Sequence, residues 1–119
     1  MSSVLSRLFS FGGGSGEMMD YDEAKGMAAD KKASVRRKLA KRDDVQPELL
    51  YFLAADAEPE IRREIAANTA TPVQADAILA TDNDDETRCQ VAGKIAALAP
   101  AMTDEEREKV GEIVTDILK

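Results

Sequence analysis

"EIRREIAANTATPVQADAILATD", residues 60–82, carries the reading on which the fold rests. Ile61 and Ile65 stand four apart, with Ala66 beside them, so a helix here has one small apolar face that a neighbour can approach closely. Asn68 follows the last apolar position and is expected in the left-handed conformation that ends a helix. Thr71-Pro72-Val73-Gln74 then restarts the chain. Thr is a favoured N-cap, Pro fits the first helical position, and Gln74, three residues on, completes a capping box. The stretch reads as helix, stop, helix.

Sliding the chain along itself until Met27 meets Leu53 and Leu53 meets Leu79 shows that this unit recurs. In the same register Ala28, Ala54 and Ala80 align, then Asp30, Asp56 and Asp82. It continues through Val35, Ile61 and Thr87; Arg36, Arg62 and Arg88; Leu39, Ile65 and Val91; and Ala40, Ala66 and Ala92. Seven ungapped columns over three copies make an internal repeat. A two-helix unit cannot bury its apolar face alone, so neighbouring units must stack. The expected fold is all-α: a short HEAT-like α-solenoid of ~26-residue two-helix repeats with a longer C-terminal helix. Pro47 and Pro59 mark two further helix starts, and strand-type alternation is scarce between residues 20 and 119. Residues 20–30 read as the second half of an earlier unit. The pattern breaks at Pro100. "TDEEREKVGEIVTDILK" then opens with a second capping box, Thr103 to Glu106, and places Val110, Ile113, Val114, Ile117 and Leu118 on one face.

The recurrent Asp precedes the recurrent Arg by six residues, across the turn between units. One reading is a ladder of Asp–Arg hydrogen bonds and caps tying successive turns together. The other projects Arg36, Arg62 and Arg88 together to grip an anionic partner.

The stretch from Glu58 to Ala92 resembles leucine-rich repeat variant units, a HEAT-like helical repeat with the cadence xxVRxxxAxNxxxPxxxLxxLxxD. Ile61-Arg62, Ala66, Asn68, Pro72, Leu79 and Asp82 stand at those places. From about Lys31 onward the chain is also similar to the N-terminal repeat region of a bacterial (alphaproteobacterial-type) family of unknown function. The resemblance implies paired helices, the second of each pair short or 3₁₀, and it implies no activity. Arg42 stands where Asn68 does, Pro47 is one place later than Pro72, and Thr87 replaces the aliphatic residue. The iron–sulfur segment that some variant-repeat proteins carry would need cysteines that this chain lacks.

Composition narrows the chemistry. The 119 residues suit one domain, and the aromatics are only Phe9, Phe11, Tyr21, Tyr51 and Phe52. With no His, imidazole catalysis and His metal ligation are excluded. Cys89, the single cysteine, suits a reducing compartment and is expected to be a semi-buried packing thiol. "DNDDE", residues 82–86, lacks the spaced ligands, central Gly and distal Glu of a calcium loop. No cofactor and no metal site is expected. No apolar run approaches the ~20 residues of a membrane span, and Ser6 and Arg7 interrupt the N-terminal apolar residues, so a soluble, bacterial-type cytoplasmic protein is expected.

Net charge is −7, distributed unevenly. Residues 31–42 hold Lys31, Lys32, Arg36, Arg37, Lys38, Lys41 and Arg42 and no acid; from Asp43 onward there are 18 acidic and 7 basic residues. This run reads either as a solvated helix face or as an anion-binding patch continued by Arg62, Arg63 and Arg88. Residues 1–19 read as a flexible tail with a Gly/Ser linker at 12–16, and residues 20–119 as the repeat domain. Val4, Leu5, Leu8 and Phe9 could form a short apolar face that docks on a partner. The expected function is a non-enzymatic protein–protein interaction or scaffold module. The alternative is a nucleic-acid-binding solenoid using residues 31–42.

Overall fold

Helices account for the regular structure in the computed structural model, which describes residues 17–118; no strand occurs among them. They are α1 (Tyr21–Ala28), α2 (Ala33–Ala40), α3 (Pro47–Leu53), α4 (Pro59–Ala67), α5 (Val73–Leu79), α6 (Asp85–Leu98), a 3₁₀ turn (Ala99–Ala101) and α7 (Asp104–Leu118). The starts of α1, α3 and α5 are separated by the repeat interval, and so are those of α2, α4 and α6. One row packs α2 on α4 on α6, and the other packs α1 on α3 on α5. The result is a slab, 39 × 35 × 17 Å across its principal axes.

The aligned columns build the core between the rows. Leu39, Ile65 and Val91 are fully buried, as are Leu53 and Leu79, and Ala28, Ala54 and Ala80 let the α1–α3–α5 row approach closely. Burying one such Leu, Ile or Val contributes about 1.5–3 kcal/mol. Alanine supplies closeness, since it leaves no long side chain between helices. Packing begins at Met19, inside the span read as tail: Met19 is buried, its amide donates to the Asp44 carbonyl, and its carbonyl accepts from Gln46 Nε2.

Pro47 and Pro59 open α3 and α4, as their fixed φ and missing N–H favour. Two local expectations are corrected. Asn68 has φ −75° and ψ 120°, extended rather than left-handed. Its side chain explains why: Oδ1 accepts from the Ala70 amide, while Nδ2 donates to the Ala40 and Arg42 carbonyls at the end of α2. Thr71 is not the cap of a capping box. The cap of α5 is Pro72, and the Thr71 hydroxyl, fully buried, donates back to the Ile65 carbonyl. Both side chains donate to carbonyls at the ends of finished helices rather than capping the amides of the next one. Thr103 and Glu106 do form the second capping box, through reciprocal 3.2 Å hydrogen bonds. Val110 is buried in α7; the side chains of Ile113, Val114, Ile117 and Leu118 lie outside the described residues.

Candidate functional site

The recurrent arginines are spent inside the molecule. Arg36 donates from Nε and NH2 to the Asp56 carboxylate, at 2.7 and 3.2 Å, and from NH1 to the Asp30 carbonyl at 2.8 Å. Arg62 repeats the pattern one unit on, with Asp82 at 2.7 and 3.2 Å and the Asp56 carbonyl at 2.8 Å. The six-residue spacing therefore joins Arg to the main chain of its Asp. The carboxylate comes from the following unit, Asp56 for Arg36 and Asp82 for Arg62. The column aspartates Asp30, Asp56 and Asp82 each use Oδ1 as well to accept an amide two residues on: Lys32, Glu58 or Asp84. Arg36 and Arg62 are only 17% and 14% exposed, most of each side chain being enclosed by these contacts. The third rung has no following unit. Arg88 donates to the Asp82 carbonyl and turns back to the Asp85 carboxylate on its own helix.

A second, outer row of ion pairs runs beside the first. Arg37 meets Glu64 at 3.1 Å and Glu60 at 3.9 Å, and Lys41 also meets Glu64. Arg63 meets Asp84 at 2.9 Å and Glu86 at 3.3 Å. Hydrogen bonds from Arg63 and from Thr87 hold the Asp84 carboxyl well below the usual carboxylate range. The same arrangement raises the Arg63 guanidinium. Of the basic residues read as an anion-binding patch, Lys31, Lys32 and Lys38 remain exposed and form no ion pair among the described residues. Arg42, also in the run, is engaged by Asp44 at 2.7 Å.

Cys89 occupies the column of Arg37 and Arg63, and it is exposed, correcting the packing role expected of it. That column faces outward in every unit, and α6 is the last helix of its row. The docking residues read in the tail, Val4, Leu5, Leu8 and Phe9, lie outside the described residues.

The structure adds two features that the residue pattern had not singled out. Lys94 and Asp76 form a buried ion pair at 2.7 Å, with side chains 3% and 1% exposed. The Lys94 ammonium also donates to the Asn68 carbonyl, and Asp76 Oδ2 has no partner among the described residues. Burial outweighs the attraction of Lys94 and pushes the Asp76 carboxyl up to about 6; burial likewise lowers Lys94. The signal lay in the repeat frame. Asp76 breaks the apolar column of Ala24 and Leu50, and Lys94 falls in the column of Asn68.

The other feature is apolar. Phe52 is 57% exposed, Tyr51 46% and Ile78 43%. Phe52 and Ile78 occupy one column of the repeat, so they sit side by side on α3 and α5. Tyr51 and Phe52 line an open groove of about 840 Å³ whose apolar wall is completed by Ala28, Ala29, Ala55 and Ala57 and whose charged side includes Asp30, Arg36, Glu48 and Asp56.

No family model, no curated protein and no solved structure matches this chain. The geometry alone bears on function. Among the described residues, no group of three or more His, Cys, Asp or Glu side chains could hold a metal ion, and no helix is long and apolar enough to cross a membrane.

Proposed function

We propose that the chain is a non-enzymatic protein-interaction module, a short HEAT-like α-solenoid of the leucine-rich repeat variant type acting in a reducing, cytoplasmic compartment. The observation that carries this reading is the exposed Tyr51, Phe52 and Ile78 face beside its groove. Two aromatic side chains left in water on α3, with an exposed isoleucine on the neighbouring α5, are characteristic of a surface that a protein partner covers. The repeating ladders support the rest. They hold the helices in fixed register, so the face is presented rigidly and little ordering entropy is lost on binding. The free thiol of Cys89, exposed on α6, fits a reducing compartment.

Nucleic-acid binding through residues 31–42 with Arg62, Arg63 and Arg88 draws less support. Arg36, Arg37, Lys41, Arg62 and Arg63 are engaged by carboxylates, and the remaining lysines lie on one side of α2 in a chain with net charge −7. Affinity capture from the source cell with nuclease-treated extract tests the proposal. A Phe52→Ser, Ile78→Ser variant should fold but lose its specific partner. Capture that vanishes on nuclease treatment and is indifferent to those two changes would overturn it.

A further inference from the structure

The two inner junctions of the α2–α4–α6 row share one charge logic, and the outer face of α2 inverts it. At each junction the covering helix sends one arginine to an aspartate in the turn, Arg36 to Asp56 and Arg62 to Asp82. It sends its outer basic residues to carboxylates on the next element: Arg37 and Lys41 to Glu64, Arg63 to Asp84 and Glu86. The accepting face thus carries Asp56, Glu58, Glu60 and Glu64 in one unit and Asp82, Asp84 and Glu86 in the next. In the first unit the same columns hold Asp30 in the turn before α2, Lys32 at its N-cap, and Ser34 and Lys38 on the helix. The aspartate is kept and the outer acids are replaced by two lysines and a serine.

This face is open. Val35 is half-buried, whereas Ile61 and Thr87 in its column are fully buried. Asp30 forms no ion pair among the described residues, although Asp56 and Asp82 each hold a guanidinium; Lys32 and Lys38 form none there either.

We propose that the face of α2 bearing Asp30, Lys32, Ser34, Val35 and Lys38 docks an amphipathic helix of a partner protein, whose arginine meets Asp30 and whose acidic side chains meet Lys32 and Lys38. The proposal rests on reading the chain as a protein-interaction module; its lysines lie away from the aromatic groove, which it meets at Asp30. The inner junctions supply the template for a helix packed in this way, with the sign of its outer charges reversed.

Other occupants fit the charges less well. A second copy stacking through α6 would bring Arg88 toward Asp30, but the neighbouring columns of α6 hold Cys89 and Gly93 and offer no acid to the lysines. Residues 1–16 contain Arg7 and no carboxylate. A nucleic acid would meet Lys32 and Lys38 yet be repelled at Asp30, and it would supply no apolar contact to Val35.

A synthetic amphipathic helix of about 18 residues, long enough to hold helix in water, tests this directly. It carries an Arg followed by Glu at the next position and again four residues later, mirroring Arg36, Arg37 and Lys41. Titrated into the isotope-labelled full chain, it should shift the amide resonances of Asp30, Ser34, Val35 and Lys38. A Lys32→Glu, Lys38→Glu variant should bind about tenfold more weakly or worse. A probe with Lys in place of both Glu should restore binding to that variant. Lys38→Gln, which removes one charge without reversing it, should give an intermediate loss. Both lysines are exposed, so thermal melting should be unchanged. Shifts confined to other residues, equal binding of the Glu and Lys probes to wild type, or tighter binding of duplex DNA at the same residues would each overturn the proposal. So would self-association of the chain that the Lys32→Glu, Lys38→Glu variant abolishes. If the charge swap fails while the Phe52 and Ile78 changes still abolish capture, this inference falls and the interaction-module reading stands.

Discussion

Arg62 and Arg63 are adjacent in sequence yet differ in what they contribute. Arg62 is largely enclosed and makes hydrogen bonds to both Asp82 oxygens and to a main-chain carbonyl, while Arg63 lies at the surface, where solvent screens its pairs. Arg62→Ala is expected to cost about 2 kcal/mol in urea unfolding, because it strands buried acceptors. Arg63→Ala should cost distinctly less. The Asp76–Lys94 pair has the opposite lesson. Lys94→Met alone leaves an uncompensated carboxylate and should destabilise by about 3–5 kcal/mol, whereas Asp76→Leu with Lys94→Met should be neutral or stabilising. Leucine fits there because Leu50 fills the equivalent position one unit earlier. The two kinds of aspartate also titrate in opposite senses. Asp76 has its folded pKa raised to about 6, so its contribution is greatest below about 4 and is lost as pH climbs from about 4 to 6. Asp84, Asp56 and Asp44 are lowered, so theirs is present above the usual carboxylate range and lost as pH falls below it. The Asp76→Leu, Lys94→Met variant should therefore lose more stability than wild type between pH 6 and 4, measured by chemical denaturation at each pH.

Among the elements, short helices depend on their neighbours. α2, α3, α4 and α5 span seven to nine residues each, too short to persist alone, so stacking must hold them. Leu79, fully buried in α5, is expected to cost about 2–5 kcal/mol when changed to Ala, by transfer loss plus cavity. Ile65→Asp in α4 should prevent stable folding, and a wild-type melting curve for it would refute the column assignment. α6 is longer, 14 residues, and contains Gly93 with open space around its Cβ position. Gly93→Ala should raise stability by about 0.5–1 kcal/mol, seen as a higher Tm, because it removes unfolded-state entropy without meeting an atom. The longer α6 also departs from the earlier helices of its row. In the earlier units the row ends near Ala40 and Ala67 and leaves carbonyls that Asn68 and Lys94 collect. At the same place α6 continues as helix, with its carbonyls already engaged.

At the scale of the molecule, charge is sorted by depth. The arginine–aspartate rungs lie between units, the outer pairs lie at the rim, and Lys31, Lys32 and Lys38, without an ion pair among the described residues, lie just before α2 and on it. Such a molecule should show no appreciable affinity for duplex or single-stranded nucleic acid near physiological salt. Weak binding at low salt should follow a shallow log–log slope, reflecting few phosphates neutralised. Fluorescence anisotropy across a salt series measures both. A steep slope that flattens when Arg62 and Arg88 are replaced would mean that the rungs open to bind, against the packing described.

Residue identities alone specified the all-α class, the helix starts at Pro47, Pro59 and Thr103 through proline and capping signals, and, through the repeat columns, the buried Leu39, Ile65 and Val91 and a ladder linking Asp to Arg. Those features are local or periodic: a helix face follows from its 3.6-residue turn, and a repeat repeats its burial. The partner of each arginine was not local. The six-residue step brought Arg to the right turn but to its carbonyl, because the carboxylate accepts its own amide two residues ahead and turns back to the arginine of the preceding unit. The same holds for Asn68, whose amide reaches back across the stack, and for Asp76 and Lys94, whose burial depends on what α5 and α6 press together. Cys89 and the face of α2 complete the point. Whether a column is covered depends on another helix packing on it, which the residues of the column do not record.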